Sequence, residues 1–294
     1  MREIRATTIL NKQKRRDDWF LTDYSVNPYS GCTIDCSYCY VYGSKYGAHV
    51  ADQFSVKSNA VELFDRQLRR RAEKGEFGFI ALASATDPYL HVEERLGLTR
   101  RILEIILRYR FPVTICTKST LVRRDVDLLR AIDASATLPP NLKASPGRGA
   151  IVMVSISTLD EHVAGLLEPG AASPLERLET VSHCVSNGLM AGVGFIPVLP
   201  LISDSDVQLE EMIRKAKEFS AQFVFVGGLT LFGDQTSDSK TRYFRFLTVH
   251  FPHLVREYQS MYGESFAPPR HHQNRLEARA RTLCNRYGLR YGIH

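Results

Sequence analysis

From about residue 77 onward the chain alternates between two hydrophobic rhythms. Short runs that are apolar at nearly every position read as strands buried on both faces. Longer stretches with apolar residues every three or four positions read as amphipathic helices. On this basis strands are expected over residues 24–28, 77–83, 112–116, 150–157, 189–197 and 222–229. Helices are expected over 56–71, with Val61, Phe64 and Leu68 on one side, and over 98–109, with Ile102, Ile105 and Ile106 inward. Three more are expected over 125–132, 173–187 and 206–219. Ser173 followed by Pro174 and Glu176 carries the marks of a helix start: a capping hydroxyl, a first-turn proline and a first-turn acid. The Pro-, Gly- and Ser-rich stretch 135–148 reads as a loop.

Near-continuously apolar strands separated by helices build a parallel sheet, closed or partly closed into a barrel. The expected class is α/β, a partial (β/α)6 TIM-type barrel, in a single domain with a C-terminal extension. Residues 1–24 are expected to pack on the barrel, with Ile9-Leu10 and Trp19-Phe20 as a lid over one end of its core. Residues 25–235 form the barrel. Residues 236–294 read as a helical C-terminal extension ending in the short segment Leu289-Arg-Tyr-Gly-Ile. No linker and no internal repeat divides the chain.

Composition refines this picture modestly. At 294 residues, 44% hydrophobic and 24% charged, the chain can bury a large core. No apolar run approaches membrane-span length. The first 20 residues are charged and lack the apolar centre of a secretory leader, and six cysteines without an evident pairing pattern suit a reducing cytosol. A net charge of +6 favours an anionic partner and is equally compatible with a solvated basic surface. The tail carries Lys240-Thr-Arg-Tyr-Phe-Arg245, Pro269-Arg-His-His-Gln-Asn-Arg275, Arg279, Arg281, Arg286 and Arg290. Mixed with Tyr243, Phe244 and Tyr287, these residues could follow a phosphate backbone and stack bases, or simply form a solvated helical face. His271-His272 has no accompanying metal motif.

The chemistry-bearing stretch is Asn27-Pro-Tyr-Ser-Gly-Cys-Thr-Ile-Asp-Cys-Ser-Tyr-Cys-Tyr40. Cys32, Cys36 and Cys39 form a C-x3-C-x2-C triplet with Tyr38 before and Tyr40 after the last cysteine. Three thiolates on one loop can hold three irons of a cubane and leave the fourth open to a small molecule. A structural zinc site would need a fourth protein ligand, and the nearest histidine is His49; no second C-x-x-C pair exists. A disulfide plus a spare thiol is a further alternative. The strand preceding the triplet places this loop at a strand's C-terminal end, where parallel α/β folds carry their chemistry. The other expected strand ends bring Ser84-Ala-Thr86-Asp87, Thr117-Lys118, Ser155 with Ser157, Pro197 and Gly227-Gly228 to the same rim.

The triplet with its flanking aromatics closely resembles that of radical S-adenosylmethionine enzymes. Five further segments narrow the resemblance to the spore photoproduct lyase-like branch: Asp87-Pro-Tyr with Leu98-Thr-Arg-Arg, Thr117-Lys118-Ser119, Leu167-Glu-Pro-Gly170 to Glu176-Arg177, and Gly227-Gly-Leu-Thr230. The resemblance runs over nearly the whole chain. It implies one [4Fe–4S] cluster on Cys32, Cys36 and Cys39, S-adenosyl-L-methionine as the ligand of the open iron, and a reductant such as flavodoxin or ferredoxin. Lys118 would meet the carboxylate of S-adenosylmethionine and Asp87 its amine. Ser84, Thr86, Thr117, Ser155 and Ser157 would supply hydroxyls, with Pro197 beside them and Tyr38 beside the cluster. The 5′-deoxyadenosyl radical formed there would abstract hydrogen from a nucleic-acid or nucleoside-type substrate and trigger bond cleavage.

The chain also departs from that branch. The photoproduct lyase pattern has a hydrogen-donating cysteine at the end of the second strand, where this chain has Ser84-Ala85. A hydroxyl is a poor hydrogen donor to a carbon radical. Cys116, near a strand end, and Tyr40, as a radical relay, are the candidate replacements; packing is the plainer role of each. Two rival functions remain: a lyase acting on a free modified nucleoside, as in queuosine-type salvage, and a noncatalytic iron–sulfur or zinc protein that binds nucleic acid.

Overall fold

The computed structural model describes residues 1–17, 19–47 and 53–293. It opens with β1 (Arg2–Ile4), β2 (Leu10–Asp17), β3 (Thr22–Val26), β4 (Tyr29–Ser30) and β5 (Ser55–Lys57). The alternating part follows as α1 (Ala60–Glu73), β6 (Ile80–Leu82), α2 (Glu93–Leu96), α3 (Leu98–Tyr109), β7 (Val113–Thr117), α4 (Val126–Ser135) and β8 (Ala150–Ile156). It continues as α5 (Glu161–Leu167), α6 (Pro174–Ser186), β9 (Met190–Val198), α7 (Asp206–Glu218) and β10 (Phe223–Gly228). The C-terminal part holds α8 (Ser239–His250), α9 (Val255–Tyr262), α10 (Arg270–Tyr287) and β11 (Arg290–Tyr291).

The main sheet has the order β11-β10-β9-β8-β7-β6-β3-β2. β3 and β6 to β10 are mutually parallel, with Tyr24 opposite Ile80, Ile80 opposite Val113, Val113 opposite Ala150, Ile151 opposite Met190 and Val224 opposite Val193. These are the six strands expected from the sequence, and the architecture is the partial (β/α)6 barrel. β2 adds an antiparallel edge, with Leu10 opposite Val26, and β11 adds a parallel one on β10.

Alternation along each strand separates two cores. Outward residues such as Ile80, Ile115, Val154, Val193 and Val226 pack against helices through Phe64, Ile102, Leu129, Val181, Ile213 and Ala280. Each such side chain contributes about 1.5–3 kcal/mol by leaving water. Inward residues Ile151, Met153, Met190, Phe223 and Phe225, with Leu21 and Phe79, fill part of the barrel interior.

The start of α6 has the expected capping box: Ser173 Oγ accepts from the Glu176 amide, and Glu176 accepts from the Ser173 amide. Elsewhere the sequence reading and the structure differ. The helix expected from residue 56 begins at Ala60, because Ser55–Lys57 pair as β5 with β1 and β4 in a separate three-stranded sheet. Ile9 and Leu10 are buried on the helix-facing side of the sheet, against residues of the outer core. Trp19 and Phe20, at the tip of the β2–β3 hairpin, instead cross to β10, with ring centroids 4.7 and 6.1 Å from that of Phe225. Among the described residues no helix is long and apolar enough to cross a membrane.

Candidate active site

β3 ends at Val26, and the next residues anchor the cysteine loop. Asn27 Oδ1 accepts from the Ala85 amide at 3.0 Å, tying the first strand end to the second. Gly31 turns the chain at φ +82°, and its carbonyl accepts from Thr86 Oγ1 at 2.7 Å. Cys36 is buried; Cys32 and Cys39 are half-buried, and all three are free thiols. The Cys32 sulfur is hydrogen-bonded by the backbone of Ile34 and Asp87, and that of Cys39 by Val41. Burial raises all three thiols, Cys32 to about 11 and Cys36 well above its ordinary value. Thiols so placed ionise when a metal binds them.

Among the described residues no three His, Cys, Asp or Glu side chains converge tightly enough to hold a single metal ion. A closed zinc site takes four protein ligands, whereas a cubane asks each thiolate to meet its own iron. The donor set, three thiols with backbone N–H groups directed at two of them, fits a [4Fe–4S] cluster with one iron left open. His49 lies outside the described residues.

The loop after α5 grips this cysteine loop. The Leu167 carbonyl accepts from the Ser37 amide at 2.9 Å, and the Gly170 amide donates to the Ile34 carbonyl at 3.0 Å. Between these contacts stands Glu168, fully buried, which the sequence reading assigned no role. Its Oε1 accepts from the Tyr38 hydroxyl, from Ser157 Oγ at 2.7 Å, and pairs with Lys118 Nζ at 3.3 Å. Its Oε2 lies 2.6 Å from a guanidinium nitrogen of Arg177, itself 1% exposed. Although burial alone would raise it, Lys118 and Arg177, with the hydroxyls of Tyr38 and Ser157, hold the Glu168 carboxyl down at about 2. On the opposite flank, Arg242 of α8 pairs with Asp35 at 2.5 Å and lies over the Tyr42 ring.

The predicted cradle residues gather at the same rim. Lys118 Nζ donates to Ser155 Oγ at 2.6 Å, which in turn donates to the Ile196 carbonyl, preceding Pro197, at 2.9 Å. Asp87, 7% exposed, accepts from Thr117 Oγ1 at 2.7 Å, from the Tyr89 amide and, through Oδ2, from the Lys118 amide at 2.8 Å. Burial nevertheless leaves its pKa above the ordinary value. Several expected hydroxyls are therefore already engaged within the protein: Ser157 on Glu168, Thr86 on Gly31 and Thr117 on Asp87. Ser84 stays exposed, its Oγ 3.5 Å from Asn27 Nδ2. Lys118 also lies over the Tyr38 ring, 5.8 Å from its centroid.

Below the rim the middle of the sheet's inner face is partly exposed. Ala81, Cys116 and Ile196 are half-buried, while their outward-facing neighbours Leu82, Ile115 and Phe195 are buried. Cys116 thus lies on the inner face of the sheet, partly exposed, with Met153 beside it on β8 and Gly192 beyond on β9. Burial pushes its thiol up to about 12, so it carries its proton at neutral pH. Tyr40 lies near this face, beside the last cysteine. It is 40% exposed, its hydroxyl donates to the Ser84 carbonyl, and it interacts electrostatically with both Cys39 and Cys116. Phe225 on the same face is buried under Trp19.

Residues 26–214 match the family described as the radical SAM superfamily. An uncharacterized protein of Mycobacterium tuberculosis is 29% identical, the alignment covering 90% of this chain and 75% of that one. A radical SAM Nalpha-GlyT isomerase of Pseudomonas phage M6 is 24% identical over 62% of this chain and 34% of its own length. Among solved structures, a spore photoproduct lyase variant with bound AdoMet and dinucleoside spore photoproduct superposes with a TM-score of 0.65 at 15% identity, covering 97% of this chain and 78% of that one.

Proposed function

The chain belongs to the radical SAM superfamily, and on that premise we propose that it is an enzyme holding a [4Fe–4S] cluster on Cys32, Cys36 and Cys39 and directing radical chemistry at a nucleobase-bearing substrate. Together, the bound cluster and S-adenosylmethionine supply one-electron cleavage of the sulfonium to methionine and a 5′-deoxyadenosyl radical. The chain's own residues bind, orient and shield. Lys118, braced by Ser155, meets the carboxylate of S-adenosylmethionine. The remaining acceptor capacity of Asp87, with exposed Ser84 nearby, faces its amine. Pro197 and Gly227 flank the far end of the cradle.

The observation that carries this reading is the placement of three thiols on one loop beside a rim that holds Lys118, Ser155 and Asp87. Cys116, protonated and on the inner face, and Tyr40, which interacts with it, are the candidates to return a hydrogen atom. The outcome is a lyase-type bond cleavage like that of spore photoproduct lyase, with a flavodoxin- or ferredoxin-type reductant. Anaerobic reconstitution tests the reading: about four irons per chain and dithionite-dependent formation of 5′-deoxyadenosine are expected. Two irons or fewer and no cleavage would refute it and favour a noncatalytic metal protein. Cys116→Ala should keep S-adenosylmethionine cleavage while altering hydrogen return to product.

One observation favours a free modified nucleoside over a polymer. Much of the basic tail is engaged internally: Arg242 with Asp35, Lys240 with Asp234, Arg279 with Asp206, Arg286 with Glu210, and Arg281 on the Tyr291 ring. Each such pairing offsets one positive charge that a phosphate track would otherwise meet. Salt-dependent retardation of DNA or RNA in a gel would favour polymer; its absence favours the nucleoside.

A further inference from the structure

We infer that Glu168 is a positioning residue that ties the cluster loop to the cofactor cradle, fixing the Lys118 ammonium for the carboxylate of S-adenosylmethionine. The inference rests on the function proposed above and deepens it. One carboxylate joins two parts of the site that are otherwise far apart in sequence. Through the Tyr38 hydroxyl it holds the loop between Cys36 and Cys39; through Lys118 Nζ, at 3.3 Å, it holds the cradle. The backbone contacts of Leu167 and Gly170 on either side keep it in register with that loop.

Charge and donor counting set this arrangement apart from an ordinary buried ion pair. Arg177 alone would neutralise Glu168, and with a side chain 1% exposed it is the fixed partner. Lys118 is the second cation, with a side chain 13% exposed at the rim. An ammonium has three protons to donate. Ser155 takes one at 2.6 Å while the Glu168 carboxylate, 3.3 Å away, holds the head group as an ion pair, which leaves donor capacity for an added anion. Without Glu168 the long lysine side chain keeps its charge and loses its direction. Ser157, donating to the same Oε1 at 2.7 Å, keeps the carboxylate from rotating.

The test uses the full chain, reconstituted anaerobically, and Glu168→Gln, which preserves shape and removes charge. Three quantities are read: iron per chain, equilibrium binding of S-adenosylmethionine, and the electron paramagnetic resonance spectrum of the reduced cluster with and without it. The expected result is unchanged iron, roughly tenfold or greater loss of affinity, and no spectral change at a concentration that saturates the wild type. Affinity within twofold of wild type overturns the inference, as does a loss of affinity that only tracks loss of iron. Should Glu168→Gln aggregate, Ser157→Ala removes a single arm, and a smaller loss of affinity with full iron is expected; unchanged affinity again overturns it. Wild type that neither holds iron nor binds S-adenosylmethionine brings down the proposed function itself, whereas wild-type binding matched by the variants brings down only the role of Glu168.

Discussion

The amide of Gly170 lies 3.0 Å from the carbonyl of Ile34, in the middle of the arm between Cys32 and Cys36. The approach depends on the missing side chain. A Cβ on residue 170 would stand 2.5 Å from the Thr33 carbonyl oxygen and 2.7 Å from the Ile34 Cα. Both are backbone atoms of the cluster loop, so neither can swing aside. Gly170→Ala should push that loop outward, costing about 1–3 kcal/mol in the range of other overpacked sites. Thermal unfolding and iron content together check this. An unchanged melting temperature with full iron would contradict it.

The three loop thiols should behave differently from the other cysteines. On the proposed cluster assignment, Cys36→Ala removes one of three protein ligands. Loss of nearly all iron and of S-adenosylmethionine cleavage is expected, with the fold retained by circular dichroism. Cys184, fully buried between α6 and the sheet, serves as the control. Cys184→Ala should cost about 1 kcal/mol in packing and leave iron untouched. Equal iron in the two variants would dissociate the triplet from the cluster.

The parallel strands were legible in the sequence because each is buried on both faces and therefore apolar throughout, as 150–156 is. β2 was not, since Asn-Lys-Gln-Lys-Arg-Arg is exposed along most of its length and is a strand only through pairing with β3. β5 was hidden for another reason: three residues have no period of their own, and Val56 fits a helix start equally well. The cysteines were readable from their spacing, and Lys118 and Asp87 because strand ends share a rim. Their partners were not. Nothing local marks Glu168 in Leu-Glu-Pro-Gly as buried, and Arg177 sits in a helix where an exposed arginine is the ordinary expectation. Burial of those charges arises from the meeting of α6 with the cysteine loop, over a distance that no local pattern spans.

Glu168 also gives a pH signature to the cluster-free protein. Its folded-state carboxyl is held at about 2, against an ordinary 4.5. A depressed acid contributes stability that is fully present above its unfolded value and is lost as pH falls through the folded one. The window therefore lies between about pH 5 and 2, and a shift of this size corresponds to about 3 kcal/mol. Denaturant unfolding from pH 6 to 3 should show wild type losing stability more steeply than Glu168→Gln. Parallel slopes would mean that other carboxylates govern acid unfolding.

A second buried charge group steadies the approach to the loop. Arg124 bridges Glu93 at 3.1 Å and Asp125 at 2.8 Å, both carboxylates being fully buried. Glu93 in turn accepts from the Tyr29 hydroxyl and, at 2.9 Å, from the Thr99 amide. Tyr29 stands three residues before Cys32, so the network reaches the cysteine loop from behind. Removing the arginine leaves Glu93 buried without its cation, while Asp125 keeps Arg100 at 2.9 Å. Arg124→Met should therefore destabilise by about 3–5 kcal/mol, the cost of breaking a buried pair from one side. Adding Glu93→Gln to that variant removes the stranded charge and should recover part of the loss, because the penalty lies in the unpaired carboxylate more than in the missing attraction. Chemical denaturation of the two single variants and the double variant measures the coupling. Strictly additive losses would mean that Glu93 and Arg124 act independently and that the loop is braced by its backbone contacts alone.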